Sequence, residues 1–293
     1  MKKLIIENLR KRFKKKAVLD DINLQITEGT IHGLIGENGV GKSTLMKVLT
    51  NLTKKDNGNI ILKGYDEDVS IKGVIEEPSL YPFLNALQHL HYYASLFKYS
   101  PSNTEVDRIL QLVNLYEERF KKVKNYSLGM KKKLSLAQVF LLSPNILTLD
   151  EPFNGLDLKT SIKVKNHLRH MKNNGSIIII SSHILSDMSD ICDNVSLLKR
   201  GKIVYNHTKN HVYVDKFKME TSQTEETLKI LEELYVDYKV DINKITLNCN
   251  LKKLSWVLKE LDYKTIHLYS LINHKKDLEE MFIEYNHIKD PEK

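Results

Sequence analysis

Cysteine, tryptophan and long apolar runs are what this 293-residue sequence has least of. It contains two cysteines and one tryptophan, and its longest purely aliphatic run is Ile177 to Ile180. Cys192 and Cys249 are far apart and in neither a metal-ligand nor a redox spacing, which argues against a disulfide or zinc framework and fits a reducing cytosol. A membrane-crossing helix needs roughly 18 or more consecutive apolar residues, so none is expected and the chain should be soluble. The apolar stretch after Met1-Lys2-Lys3 stops at Ile6 with no small-residue cleavage site following, so no secretory leader is expected. No internal repeat and no low-complexity linker is found.

With 41% hydrophobic residues, the chain can bury a sizeable core. At about 100–200 residues per domain it should form one large domain or two unequal ones. The net charge of +8 and pI near 9.1 are compatible with nucleic acid, an anionic membrane surface, or a lysine-rich solvated surface. The runs Lys11 to Lys16 and Lys131 to Lys133 are short and read as solvated faces.

From Met1 to about Asn206, short β-like runs alternate with helical patterns, which predicts a mixed α/β layer structure. Ile31–Ile35, Asn145–Leu149 and Ile177–Ile180 read as strands buried on both faces, each followed by polar residues at its C-terminal edge. Between residues 83 and 142 three amphipathic helices are predicted, Asn85–Phe97, Thr104–Leu115 and Ser127–Leu142, forming a helical insertion. Beyond Thr208 the pattern predicts a strand at Val212–Glu220 and a helix capped by Ser222 with Glu225 and striped by Leu228, Leu231 and Leu234. Strands Lys239–Ile242 and Lys244–Asn248 follow, joined by a turn near Asn243. A helix marked by Leu251, Leu254, Leu258 and Leu261, a strand Thr265–Tyr269 and a closing helix with Leu278, Met281, Phe282 and Tyr285 complete the chain. The order βαββαβ points to a small ferredoxin-like α+β domain over residues 208–293, after a first domain over residues 1–207. Trp256 falls among helical apolar positions and reads as core.

The strongest motif is Gly36-Glu37-Asn38-Gly39-Val40-Gly41-Lys42-Ser43-Thr44, which fits G-x-x-x-x-G-K-[ST] and follows a predicted strand. Its glycines let successive N–H groups point at one phosphate, with the positive end of the next helix behind them. Lys42 would reach the β- and γ-phosphates, and Ser43 would offer a hydroxyl to Mg²⁺. The second motif, Ile146-Leu147-Thr148-Leu149-Asp150-Glu151, is an apolar strand ending in two acids. Asp150 would hold Mg²⁺ through water, and Glu151 would polarise the attacking water as general base.

A third element, Tyr126-Ser127-Leu128-Gly129-Met130, resembles the signature loop of ABC ATPases. With Asp157 in Asn154-Gly155-Leu156-Asp157 and His183 after the aliphatic strand, it completes that family's set in its usual order over residues 1 to about 206. The resemblance implies a P-loop NTPase cassette, with a RecA-like core, an antiparallel β subdomain and the helical insertion, that binds and hydrolyses ATP. It implies a nucleotide-dependent dimer, of two copies or with a paralogous cassette. In that dimer Ser127 and the N–H of Gly129 grip the γ-phosphate held by the other copy's loop at Gly36, Asn38, Gly39, Gly41, Lys42, Ser43 and Thr44. His183 would hold the γ-phosphate and water in register, and Asp157 would tie the two sites together. Phe13 matches the aromatic that stacks on adenine, or is a partly exposed aromatic beside lysines.

Two positions depart from the family pattern. Glu76 stands where a metal-contacting glutamine is usual, adding negative charge beside the triphosphate. Leu128 replaces a glycine but should leave Ser127 and Gly129 usable. Together with the short second domain these resemble the ATPase subunits of lantibiotic-immunity and bacitracin-type exporters. The partner implied is a transmembrane permease on a separate chain, with this chain peripheral on the cytoplasmic face of the membrane and Glu77 to Phe83 a candidate docking segment. The alternative is a soluble ABC-type ATPase acting on nucleic acid or the ribosome. The absence of a heptad run between Lys42 and Ser127, and the presence of a single cassette, weigh against it. The second domain could regulate, add dimer contacts or only stabilise the cassette.

Overall fold

Leu4, Ile6 and Leu9 alternate with polar residues along β1 (Lys3–Phe13), and Leu19, Ile22, Leu24 and Ile26 do so along β2 (Lys16–Thr27), so each strand offers one apolar face to a core. The computed structural model describes residues 1–274 other than 15, 66–68, 70, 77–79, 184–187, 189, 209–215, 242–243 and 250. After β3 (Thr30–Ile35) come α1 (Lys42–Leu49), β4 (Asn57–Lys63) and β5 (Ile71–Val74). The helices α2 (Ala86–Ser95), α3 (Asn103–Leu112) and α4 (Leu128–Leu141) follow. The unit closes with β6 (Ile146–Asp150), α5 (Leu158–Asn173), β7 (Ile177–Ser182), β8 (Asn194–Lys199) and β9 (Lys202–Thr208).

Two sheets result. β2, β1 and β4 form an antiparallel sheet, while a six-stranded sheet runs β5-β6-β7-β3-β8-β9. Its pairings are parallel except for the antiparallel edge strand β9. All six residues of β3 and of β7 are buried, as short apolar runs covered on both faces require. The three helices predicted between residues 83 and 142 are present. Two of them begin with reciprocal capping boxes, Asn85 with Gln88 and Ser102 with Glu105. Parallel pairing places the C-terminal ends of β3, β6 and β7 side by side, so the segments after Ile35, Asp150 and Ser182 open on one edge of the sheet.

The chain divides into two compact units, Met1–Thr208 and Lys209–Lys293. The second contains β10 (Lys216–Thr221), α6 (Thr224–Glu233), β11 (Asp237–Asp241), β12 (Lys244–Asn248), α7 (Leu251–Tyr263) and β13 (Leu268–His274). Its antiparallel sheet, in the order β11-β12-β10-β13, is that of a ferredoxin-like α+β sandwich. The core there is Phe217, Met219, Ile230, Leu231, Ile245, Leu247 and Val257.

Three expectations in this unit fail. Ser222 does not cap α6, whose N-cap is Gln223 without a side-chain hydrogen bond. Instead the Ser222 hydroxyl accepts from the His267 N–H at 3.0 Å, which ties β10 to the segment entering β13. The last strand starts at Leu268 rather than Thr265, because Thr265 (φ 56) and Ile266 turn back to close α7 on Asp262 and Leu261. Trp256 is 45% exposed: Leu254, Val257 and Leu261 take the inward face of α7, and the indole projects outside that face. Residues 212–215, the turn at Asn243 and the closing helix lie outside the described residues.

Candidate nucleotide site

The loop from Gly36 to Gly41 leaves the buried end of β3 and runs directly into α1. It is squeezed on both sides. A β-carbon at Gly36 would lie 2.4 Å from the Leu198 carbonyl oxygen of β8, and one at Gly41 (φ 116) would lie 2.8 Å from the Val18 carbonyl oxygen of β2. Only glycine fits either place. Lys42 is buried, and its ammonium donates to the carbonyls of Gly36 at 2.6 Å and Glu37 at 3.0 Å, drawing the chain around the start of α1. Burial pushes its pKa down while the carboxylates of Glu151 and Asp150 push it up.

Asp150 ends β6 and Glu151 follows it, and β6 is separated from β3 by β7 alone. Asp150 pairs in register with Ser181, whose hydroxyl donates to the Asp150 carboxylate and accepts the Glu151 N–H at 3.0 Å. Glu151 has φ 45, a left-handed conformation costing a non-glycine residue about 1–2 kcal/mol. Three contacts hold it there: Ser181 on its N–H, the Lys132 ammonium on its carbonyl at 2.5 Å, and Asn154 donating to its carboxylate at 2.5 Å. The other carboxylate oxygen meets His183 Nδ1 at 2.8 Å.

A cavity of about 890 Å³ is lined by Asn38, Gly39, Gly41, Lys42, Ser43, Thr44, Glu76, Asp150 and Glu151, while Gly36 and His183 are not on its wall. Leu128, Gly129, Lys132, Asn154 and Gly155 line the rest of it. Glu76 (φ 59) follows β5 and receives Lys47 of α1 at 2.6 Å. The extra charge expected from this residue is thus offset by an ammonium from the helix behind the phosphate loop. Both side chains are partly exposed, so the pair contributes at most about 1 kcal/mol of stability.

Ser127 caps α4, its hydroxyl accepting from the Met130 N–H, and is exposed, but it is not on the cavity wall within one chain; Gly129 is. Asp157 caps α5 through the N–H and hydroxyl of Thr160 at 2.9 and 2.8 Å and takes Lys133 at 2.6 Å. The Lys133 hydrogen bond, followed by those from Thr160, holds its carboxyl well below the usual range. Phe13 sits at the end of β1, 49% exposed under the Lys11 ammonium, and does not line the cavity. Its strand belongs to the separate antiparallel sheet, which packs against the loop through Val18 and Leu19 of β2.

The lysine run 131–133 corrects a sequence expectation. Lys132 and Lys133 point at the Glu151 carbonyl and the Asp157 carboxylate rather than forming a solvated face. Burial pushes the pKa of Lys132 down against the pull of Glu151 and Asp150. Ser181, Asn154 and Lys47 were not singled out from the sequence either. The one available signal was the polar pair Ser181-Ser182 ending an aliphatic strand.

A parallel sheet with a phosphate-binding loop after one strand and paired acids two strands away defines a P-loop nucleoside triphosphatase. The family model described as ABC transporter matches residues 19–154. The chain is 30% identical to a bacitracin transport ATP-binding protein, BcrA, of Enterococcus faecalis, across 94% of each chain. It is 38% identical to a lantibiotic transport ATP-binding protein, SrtF, of Streptococcus pyogenes, across 69% of this chain and 89% of that one. Among solved structures, an ATP-binding subunit of an ABC transporter superposes with a TM-score of 0.64 at 29% identity, covering 70% of this chain and 89% of the other. The chain belongs to this family: it is the ATP-binding, ATP-hydrolysing cassette subunit of an ABC transporter.

Proposed function

We propose that this cassette powers export of antimicrobial peptides or peptide antibiotics through a permease on a separate chain. The names of the two relatives support this cargo class, and Glu76 and the Ser-Leu-Gly-Met signature accord with it. The observation that carries the hydrolytic half is the His183 to Glu151 contact at 2.8 Å beside the Lys42 loop. Glu151 would accept the proton of the water attacking the γ-phosphorus, with His183 orienting that carboxylate and the phosphate. Lys42 and the loop N–H groups would bind the β- and γ-phosphates.

Ser43, Asp150 and Glu76 present only hard oxygen donors to the cavity, and no three His, Cys, Asp or Glu side chains are grouped so as to hold a metal ion by themselves among the described residues. That donor set fits Mg²⁺, which completes its shell with phosphate and water oxygens. When bound, Mg²⁺ neutralises developing charge on the phosphates.

In our reading two cassettes close on nucleotide, the exposed Ser127 and the Gly129 N–H of one copy meeting the triphosphate held by the other. The role of Asp157 is to join the two sites through Lys133 and the start of α5. Phe13 is our candidate for the adenine stack once a second copy is present. No helix among the described residues is long and apolar enough to cross a membrane, and the subunit would act peripherally at the cytoplasmic face. The docking surface is the segment ending at Phe83. Residues 77–79 of it lie outside the described residues, while Tyr81 and Phe83 are 44% and 76% exposed.

Expression of the chain with its membrane-spanning partner should raise the inhibitory concentration of bacitracin or of a lantibiotic for a susceptible bacterium. Lys42→Ala should abolish the gain. Unchanged susceptibility to both compounds, with normal ATPase activity, would sink the cargo assignment.

A further inference from the structure

A second cavity, of about 430 Å³, lies among the chain segments that enter β1, β3, β6 and β7, together with α3 and the C-terminal half of α5. This is the opposite edge of the parallel sheet from the nucleotide site. β7, with 6 residues, separates the two edges by roughly 20 Å at about 3.3 Å per residue. No residue lines both cavities.

Six titratable side chains line the second cavity: Lys2, Glu28, Tyr65, Arg108, His167 and His170. The Tyr65 hydroxyl and His167 Nε2 are buried and lack a hydrogen-bond partner among the described residues. Buried polar groups in folded proteins nearly always have one, so two orphans in one cavity point to something that fills it. Arg108 makes no hydrogen bond or ion pair among the described residues. The Lys2 ammonium stands 5.2 Å over the Tyr65 ring, bringing a second cation to the same wall.

Burial, with the Glu28 charge, pushes the Tyr65 phenol up, so it remains an O–H donor. The His167 ring packs edgewise on Phe140 at 4.7 Å. Burial, then the charges of His170 and Arg108, push it down to about 4, so it is neutral at pH 7. The wall therefore offers two cations, a phenol O–H donor, the neutral imidazole of His167 and the ring of His170, one carboxylate acceptor, and the amides and hydroxyls of two asparagines and two serines. Two cations and a donor suit a phosphate, for which the Arg fork is the better match. A carboxylate beside them suits a ligand hydroxyl. Lining by charged and polar groups disfavours an apolar drug.

We propose that this cavity binds a small hydroxylated phosphate ester, its phosphate on Arg108, Lys2 and the Tyr65 hydroxyl and a hydroxyl on Glu28. Glycerol 3-phosphate titrated calorimetrically into the full chain at constant ionic strength tests this. Saturable binding is expected, weakened about tenfold or more in Arg108→Ala and in Tyr65→Phe and unchanged in Lys42→Ala. No saturable heat with the parent chain would overturn the proposal, as would binding that is lost in Lys42→Ala yet kept in Arg108→Ala. Tyr65→Phe keeps the ring under Lys2, so it tests the hydroxyl even if Arg108→Ala does not fold. Parental affinity in Tyr65→Phe would also overturn the assignment.

Discussion

Both units place non-glycine residues in the left-handed backbone region at helix ends, as at Lys98 and Asn114 of the cassette unit, but among the described residues only the cassette unit also does so after strands that lead to reactive groups. In the second unit, Tyr235 (φ 51) follows α6 and Thr265 (φ 56) follows α7. Each donates to a carbonyl of the last helical turn, and the next residue donates to the carbonyl one residue further back: Tyr235 to Glu232 and Val236 to Leu231, Thr265 to Asp262 and Ile266 to Leu261. These are helix terminators of the Schellman kind, where the strain is offset by carbonyls that would otherwise lack a donor. In the cassette unit, Glu151 (φ 45) and Glu76 (φ 59) follow strands, where no helix end asks for the conformation. Side chains hold Glu151 instead, from Ser181, Lys132 and Asn154. The same torsion is thus a stop signal at helix ends in both units, Lys98 and Asn114 in the cassette unit included, and a pre-set posture of a reactive carboxylate at Glu151.

The largest expected effect is at that carboxylate. Glu151→Gln should lower ATP turnover by roughly 10²–10⁴-fold, as loss of a general base does. It should still bind nucleotide and collect as a nucleotide-dependent dimer on size-exclusion chromatography. Parental turnover would show that the strained posture serves something other than proton transfer.

Next comes the grip itself. Lys132→Ala leaves the Glu151 carboxylate chemically intact but frees its carbonyl. kcat should therefore fall about tenfold or more, with KM for ATP changed much less. Lys132→Arg should recover part of the loss. Equal loss in both variants, or an effect confined to KM, would mean that Lys132 contacts nucleotide rather than positioning Glu151.

A smaller effect of opposite sign is expected in the second unit. Tyr235 is 87% exposed, so Tyr235→Gly sacrifices little packing and should stabilise the protein against urea by about 0.5–1 kcal/mol, with turnover unchanged. Glu151→Gly relieves the same torsion but should be inactive. If Tyr235→Gly destabilises, the helix-stop explanation fails.

The smallest effect concerns acid. The Asp157 carboxyl is held low in the folded state, so its contribution is complete above the unfolded value near 3.8 and is lost as the pH falls through the folded value. The stability gap between the parent and Asp157→Asn should be constant from neutral pH to about 5 and shrink only below about 4. Because the side chain is 47% exposed, that gap should stay within about 1 kcal/mol. A gap that changes between pH 6 and 8 would implicate another group.

The phosphate loop, the acidic strand end, the signature helix and the strand before His183 were all legible, because each is a local pattern. Glycine spacing, an aliphatic run and a capping serine act within a few residues of themselves. Lys132, Ser181 and Lys47 were not, since each matters only through a partner brought close by parallel strand pairing or by the packing of α4 and α1. Trp256 was misread for a related reason: apolarity marks it for burial, but the phase of α7 had already been taken by Leu254, Val257 and Leu261. The late start of the final strand reflects a helix stop whose αL residue is Thr265, with no glycine or asparagine to announce it.

By itself the sequence determined the class of this protein, because the contacts that phosphate recognition demands are made by consecutive residues whose backbone preferences are encoded in place. The tertiary structure alone decided which lysine of three touches Glu151, that Lys47 offsets Glu76, and that a polar cavity sits at the far edge of the sheet. Those depend on the register of strands distant in the chain, and register is set by packing of the whole core rather than by any local run of residues.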